Sequence, residues 1–296
     1  HRFQELDFNI GGFDAFISSQ VGVGSGLSSS ASIEILIGTI LNSLYNTEQI
    51  SDIKLAQIGQ YAENEYFGKP CGLMDQAAIS VGGVLKIDFS NNSEPEIQKI
   101  DFHQDQINFD IVIIDTGDNH DDLTEEYASI PSEMKAVANK IDKKVCRQMK
   151  IDKFLMEIKS LRKKVSDRAI LRCIHFFNEN NRVDNLTEAI VEDNFTKFLN
   201  IIQESGNSSF KYLQNCYSIE TPDIQGIPLA LSLTEFFLKK HNCKGACRVH
   251  GGGFAGTTQT FIEKSATEQY IDFIEDTFKN NSATKIKIRK SGGIKV

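Results

Sequence analysis

Val21-Gly22-Val23-Gly24-Ser25-Gly26-Leu27-Ser28-Ser29-Ser30-Ala31-Ser32 joins alternating glycines to a serine run. An apolar-periodic segment follows at once: Ile33, Leu36, Ile37, Ile40, Leu41 and Leu44 recur at helical spacing. Glycines allow tight turns and close ligand approach. The free N–H groups at a helix start, with the positive end of its dipole, suit a phosphate. Serine hydroxyls there could join a phosphate-bound magnesium ion. The dinucleotide fingerprint is excluded, because its third glycine would fall at Leu27. The P-loop is excluded too, because no Gly-Lys-Ser/Thr occurs. Two readings stay open at this point: a phosphate loop of another kind, or a Gly/Ser linker with serine caps.

A second helix is expected from about Asp52 to Tyr66, capped by Ser51, with Ile53, Ala56, Tyr61 and Ala62 among its inner residues. It carries Glu63 near its end, and the chain turns through Pro70 and Gly72 to Asp75 in the loop beyond. Such carboxylates could divide labour in phosphoryl transfer, one holding metal and one facing the acceptor hydroxyl. They could equally be a solvated helix residue and a cap of the next helix.

β-type runs are expected over residues 79–89, broken by Gly82-Gly83, and over residues 109–115, with a loop at residues 91–95. Residues 123–241 read as mainly helical, with Pro131 at a turn or helix start. Strands over residues 244–250 and 257–262, a helix over 266–278 and a strand over 284–288 complete the pattern. Together these predict an α+β sandwich with helices on one face of an antiparallel sheet. Between two of those runs lies Arg248-Val249-His250-Gly251-Gly252-Gly253-Phe254-Ala255-Gly256-Thr257. It has more glycine than a hairpin needs, which fits close approach of a ligand or of another backbone. His250 beside it reads as structural.

The balance of 32 basic and 40 acidic residues, net charge −8, argues against a nucleic-acid partner. No apolar run is long enough for a membrane span. The six cysteines, Cys71, Cys146, Cys173, Cys216, Cys243 and Cys247, form no CxxC pair and no zinc spacing. Reduced thiols in a cytoplasmic protein are expected.

The three clusters, in this order, resemble the GHMP kinase superfamily, and within it the galactokinases. Gly24 to Ser32 resembles the superfamily's second motif, the ATP-phosphate loop, and Gly251 to Gly256 its third, a glycine loop packed against the second. Cys71-Gly72-Leu73-Met74-Asp75-Gln76 is similar to the galactokinase segment carrying the catalytic Asp, with the magnesium-binding Glu at Glu63. Asp115-Thr116-Gly117 through Asp122-Leu123-Thr124-Glu125-Glu126-Tyr127 resembles the stretch whose Tyr touches the sugar. Residues 168–183 and Glu204-Ser205-Gly206 also resemble family segments.

The resemblance implies an α+β, GHMP kinase-type two-domain fold. Its parts are an incomplete ribosomal protein S5 domain 2-like N-terminal domain, 1–115, and a ferredoxin-like α/β sandwich, 116–296. It implies ATP-dependent phosphorylation of galactose at the anomeric hydroxyl, with Mg2+ and ATP. ATP is bound by Gly24, Ser25, Gly26, Leu27, Ser28, Ser29 and Ser30; Mg2+ by Ser30 and Glu63; sugar by Gly72, Asp75 and Tyr127. Asp75 orients or deprotonates the hydroxyl. A monomer is expected.

Gly22 stands where the second motif usually has Pro, Ala255 where the third usually has Gly, and His250 also departs. The first motif, which brings an Arg to the sugar, is expected upstream of His1, so impaired activity is expected of this chain alone. Two alternatives remain: a kinase for another sugar such as N-acetylgalactosamine, and a non-catalytic sugar- and ATP-binding regulator. Regulators of that kind have a shortened Ser-Ala stretch; here Ser28 to Ser32 is complete.

Overall fold

The structure is a computed structural model that describes residues 1–19, 27–68, 71–91, 94–117 and 123–295. Two compact units emerge, His1–Phe102 with Lys287–Val296, and His103–Ile286. The break after Phe102 puts residues 103–115 in the second unit. Residues 109–115 form an interior strand of the second unit's sheet, so they are bonded into it on both edges.

The first unit contains α1 (Arg2–Glu5), α2 (Ser29–Tyr45), α3 (Asp52–Glu65), α4 (Met74–Val81) and the antiparallel pair β1 (Val84–Asp88) and β2 (Glu96–Ile100). Ser51 caps α3 as expected, its side chain accepting from Lys54 N–H at 3.3 Å. The residues buried on α3 are Leu55, Ala56, Ile58, Gly59 and Glu63; Ile53, Tyr61 and Ala62 are only half-buried. The apolar periodicity of α2 points away from its packed face. Ala31, Ile35, Gly38 and Asn42 are buried, whereas Ile33, Leu36 and Leu44 are 43%, 39% and 56% exposed. Small residues let α3 approach closely, and the larger ones, Ile33 and Leu36, line a groove of about 430 Å³ with Ile17, Ile79 and Ile288. Asn42 survives burial because both ends of its amide pair with the backbone of Ile50, at 2.9 and 3.1 Å.

Residues 79–81 belong to α4, which ends at Gly82, and the strand starts only at Val84. The apolar run thus spans a helix end and a strand, a boundary that periodicity cannot resolve in a short stretch. The last strand stops at Ile286, and the following tail joins the first unit. There Gly83 N–H donates to Arg289 O at 2.8 Å and Lys99 Nζ to Lys290 O at 2.7 Å.

The second unit contains β3 (Phe109–Asp115), α5 (Thr124–Asn139), α6 (Ile151–Leu161), α7 (Asp167–Val191), α8 (Phe195–Ser208), α9 (Gly226–Lys240), β4 (Gly245–Val249), β5 (Thr257–Glu263), α10 (Thr267–Glu275) and β6 (Ala283–Ile286). Its sheet has the order β4-β5-β3-β6, antiparallel throughout. Ile111, Val112, Ile113 and Ile114 are all buried, as a strand covered on both faces requires.

The α+β class holds, but helices lie on both faces of this sheet. Successive strand residues point to opposite faces. Ile262 packs with Phe237 of α9 and Tyr270 of α10, whereas its neighbour Phe261 meets Phe198 of α8 at 4.9 Å between ring centroids. A separate helical core joins Val137, Phe154, Leu161, Ile170 and Cys173. Pro131 lies inside α5 rather than at its start. Proline leaves the carbonyl four residues earlier without its helical donor; the burial of Val137 and Ala138 in that core keeps the helix running. Also in this core, Cys146 Sγ and Cys173 Sγ lie 3.3 Å apart, a pair their separation of 27 residues conceals.

Candidate active site

In the first unit, α2, α3 and α4 bring their ends together around two carboxylates. Helix α2 begins without a side-chain cap and without an acidic residue in its first turn, so its N–H groups and dipole can serve an anion. Ser28 sits at that start in the left-handed region, φ 57° and ψ 48°. A non-glycine residue there carries roughly 1–2 kcal/mol of strain. The turn aims Ser28 Oγ at Asp75 Oδ2, 2.6 Å away. One residue into the helix, Ser30 Oγ donates to Glu63 Oε1 at 2.9 Å.

Asp75 lies in the first turn of α4, not in a loop. The preceding turn is fastened to α3: Cys71 N–H donates to Asn64 Oδ1 at 2.7 Å and Gln60 Nε2 to Cys71 O at 3.2 Å. Asp75 is exposed. Glu63 is only 5% exposed, so it is no solvated helix residue. It accepts from Ser30 and from Gln76 Nε2, the latter at 2.9 Å. Partial burial, then this carboxylate, pushes the Cys71 thiol up to about 11, so the thiol stays protonated at neutral pH. Around Gly72, nothing among the described residues lies within 4 Å of where a Cβ would be. Leu27, Ser28, Ser29 and Ser30 are placed at the start of α2. Gly24, Ser25 and Gly26 lie outside the described residues, as does Asp122.

Hydroxyl and carboxylate oxygens side by side are the hard donors that suit Mg2+. Among the described residues no group of three or more His, Cys, Asp or Glu could hold a metal ion. A site with few protein donors still fits Mg2+, which commonly binds one or two carboxylates together with substrate phosphates.

In the second unit, Tyr127 of α5 braces the glycine cluster. Its hydroxyl donates to Gly253 O at 3.0 Å and its ring meets Phe254 edge-on at 5.5 Å. A Cβ on Gly252 would lie 2.5 Å from the Tyr127 ring. Asn215 completes the clamp, its Nδ2 donating to Gly252 O at 2.9 Å. Within this unit the excess glycine therefore answers to the close approach of protein groups. His250 contributes its backbone, donating to Thr257 O at 3.0 Å across the turn.

Sequence reasoning missed Glu34, Gln76 and Asn215. Gln76 carried a signal, since it directly follows Asp75 in the quoted motif. Asn215 carried none, standing 37 residues before the glycine it clamps.

Residues 1–83 match the family described as the GHMP kinases N terminal domain. The fold is that of the GHMP kinases. The Lactococcus lactis galactokinase, solved in complex with galactose, superposes with a TM-score of 0.76 at 23% identity over 98% of this chain and 73% of its own. The galactokinase of Clostridium tetani is 29% identical over 93% of this chain, and that of Limosilactobacillus reuteri 28% over 88%. Over most of its length this chain is thus similar to galactokinases, and its first 83 residues match the GHMP kinase N-terminal family. It spans 66% and 63% of those two relatives' lengths, less than two thirds. Among the described residues, no helix is long and apolar enough to cross a membrane.

Proposed function

We propose that this chain carries the ATP-phosphate and phosphoryl-transfer machinery of a galactokinase, which transfers the γ-phosphoryl group of ATP to the anomeric hydroxyl of galactose. The observation that carries the reading is the paired contact at the start of α2: Ser28 on Asp75 and Ser30 on Glu63. It sets an anion-binding helix end beside one exposed and one buried carboxylate. Names of relatives support it, since they are galactokinases and one was solved with galactose.

In this reading the phosphates lie against Gly24 to Ser30, bound by backbone amides. Ser30 and Glu63 hold Mg2+, which when bound neutralises phosphate charge as the bond to the leaving group loosens. Asp75 receives the sugar hydroxyl, with Gly72 beside it. Ser28 holds Asp75 Oδ2 and so fixes the rotamer. An aspartate is a weak base, so orientation and charge stabilisation matter more here than full proton removal. The product is galactose 1-phosphate. A cytoplasmic monomer completes the proposal.

Calorimetric titration of the chain with ATP and Mg2+ tests it. Ser30→Ala should weaken binding about tenfold or more, and Asp75→Asn should bind as the parent does while losing any galactose-dependent ADP release. Undiminished binding by Ser30→Ala, or none by a folded parent chain, would defeat the assignment of this site.

A further inference from the structure

Behind the Ser30–Glu63 contact lies a second layer built around Gln76. This side chain is 1% exposed. Its Nε2 donates to Glu63 Oε2 at 2.9 Å and to Glu34 Oε2 at 3.1 Å, and also approaches Cys71 Sγ at 3.7 Å. One amide nitrogen has two hydrogens, and each meets a carboxylate. Its Oε1 is buried without a hydrogen-bond partner. Leaving a buried acceptor unmade is costly, so stability alone is a poor reason for an amide here.

The pocket is shaped for this bridge. Gly59 lies inside α3, where glycine is less favourable than alanine. A Cβ there would come within 3.1 Å of Glu34 Oε2 and 3.4 Å of Gln76 Cγ. The helix therefore gives way to the Glu34–Gln76 pair. Both oxygens of the Glu63 carboxylate are engaged. Ser30 takes Oε1 and Gln76 takes Oε2, which leaves the side chain one orientation.

We propose that Gln76 is a positioning residue, which locks the Glu63 carboxylate toward Ser30 and is itself anchored by Glu34, so that the divalent cation meets a preset donor pair. The proposal rests on reading Ser30 and Glu63 as the cation's donors. Glu34 acts through Gln76: it accepts the second hydrogen and so fixes the plane of the amide. Groups behind a metal ligand commonly change metal affinity about 10–100-fold when altered.

The test uses Mn2+ as the probe, with ATP, and reads bound metal by electron paramagnetic resonance on the full chain. Melting is followed in parallel. Gln76→Met keeps length and removes both donors. It should weaken Mn2+ affinity in the presence of ATP about 10–100-fold and leave metal-free ATP binding within about twofold. Glu34→Gln keeps an acceptor for Gln76 and removes one charge. It should stay within about threefold of the parent, because Gln76 acts by geometry. Should Gln76→Met fail to fold, Gln76→Asn carries the same expectation, since it keeps an amide but is one methylene too short to span both acids. A folded Gln76 variant that melts earlier yet binds Mn2+ within twofold of the parent overturns the positioning role and leaves the functional reading standing. So does a loss in Glu34→Gln equal to that in Gln76→Met, which would make charge the agent. Absence of metal-dependent nucleotide binding by the parent chain overturns both.

Discussion

Replacing Gly253 by alanine should destabilise the second unit far more than the same change at Gly117, although both glycines have nearly the same backbone angle. Gly253 has φ +83° and Gly117 φ +78°. An alanine at either site carries the left-handed penalty of roughly 1–2 kcal/mol. Space separates them. At Gly117 nothing among the described residues lies within 4 Å of the new Cβ, whereas at Gly253 it would fall 2.0 Å from Asn215 O and 2.6 Å from Asn215 Nδ2. The nearest obstacle is backbone, so relief requires the chain at Asn215 to move. That movement breaks the bond in which Phe254 N–H donates to Asn215 O, and strains the one from Asn215 Nδ2 to Gly252 O. Overpacking typically adds about 1–3 kcal/mol and a lost hydrogen bond about 0.5–1.5 kcal/mol. The expectation is therefore roughly 3–6 kcal/mol for Gly253→Ala and about 1–2 kcal/mol for Gly117→Ala. Against a total stability of about 5–15 kcal/mol, the former is severe. For a unit of this size, each kcal/mol is worth roughly 2–4 °C of melting temperature. Thermal and urea unfolding followed by circular dichroism would measure both variants. Equal losses in the two would refute the argument that the Asn215 clamp, rather than backbone angle, makes this glycine indispensable.

His175 in α7 is buried, and burial holds its imidazole below the ordinary value; nearby Arg182 and Arg248 act the same way and Glu179 opposes them. Its Nδ1 lies 2.9 Å from Ser208 Oγ. The unfolded chain takes up a proton that the native ring resists, so stability is full above about pH 6.5 and falls as pH drops below it, by at most about 1.4 kcal/mol per pH unit. Urea midpoints between pH 7.5 and 5.5 should show that slope, and His175→Asn should flatten it; an unchanged slope would exclude His175 as its source. Tyr270→Phe removes a hydroxyl that meets Thr234 at 2.6 Å and Thr260 at 2.9 Å in the core between α9, α10 and the sheet. It should lower stability by about 1–2 kcal/mol in denaturant unfolding, with no change of packing volume; a neutral result would mean the two threonines satisfy each other.

Local chemistry made several elements readable. Ser51 announced the start of α3 because a hydroxyl before a helix can accept from its first turn. The run Ile111 to Ile114 announced a strand because β-branched residues suit a pleated, covered surface. Residues 79–81 were misread because a helix end, a glycine and a strand form one apolar stretch. The packed face of α2 was not legible, for a different reason. Close packing against α3 selected small residues, Ala31 and Gly38, while periodicity weighs only the large ones.

By itself the sequence determined the residue types that chemistry at this site requires: a glycine–serine stretch before a helix, Ser30, Glu63 and Asp75 at their spacings, and a glycine cluster between strands. Those are local properties, set by backbone freedom and side-chain functional groups. Only the tertiary structure decided which of them meet. Ser28 and Asp75 are 47 residues apart, Ser30 and Glu63 33, and Gln76 and Glu34 42. Pairs so distant along the chain are joined by helix packing through Ile35, Ala56, Leu73 and Ala77. Burial then changes what the groups do: water would have separated Glu63 from its donors, and the packed helix ends hold it against Ser30 and Gln76.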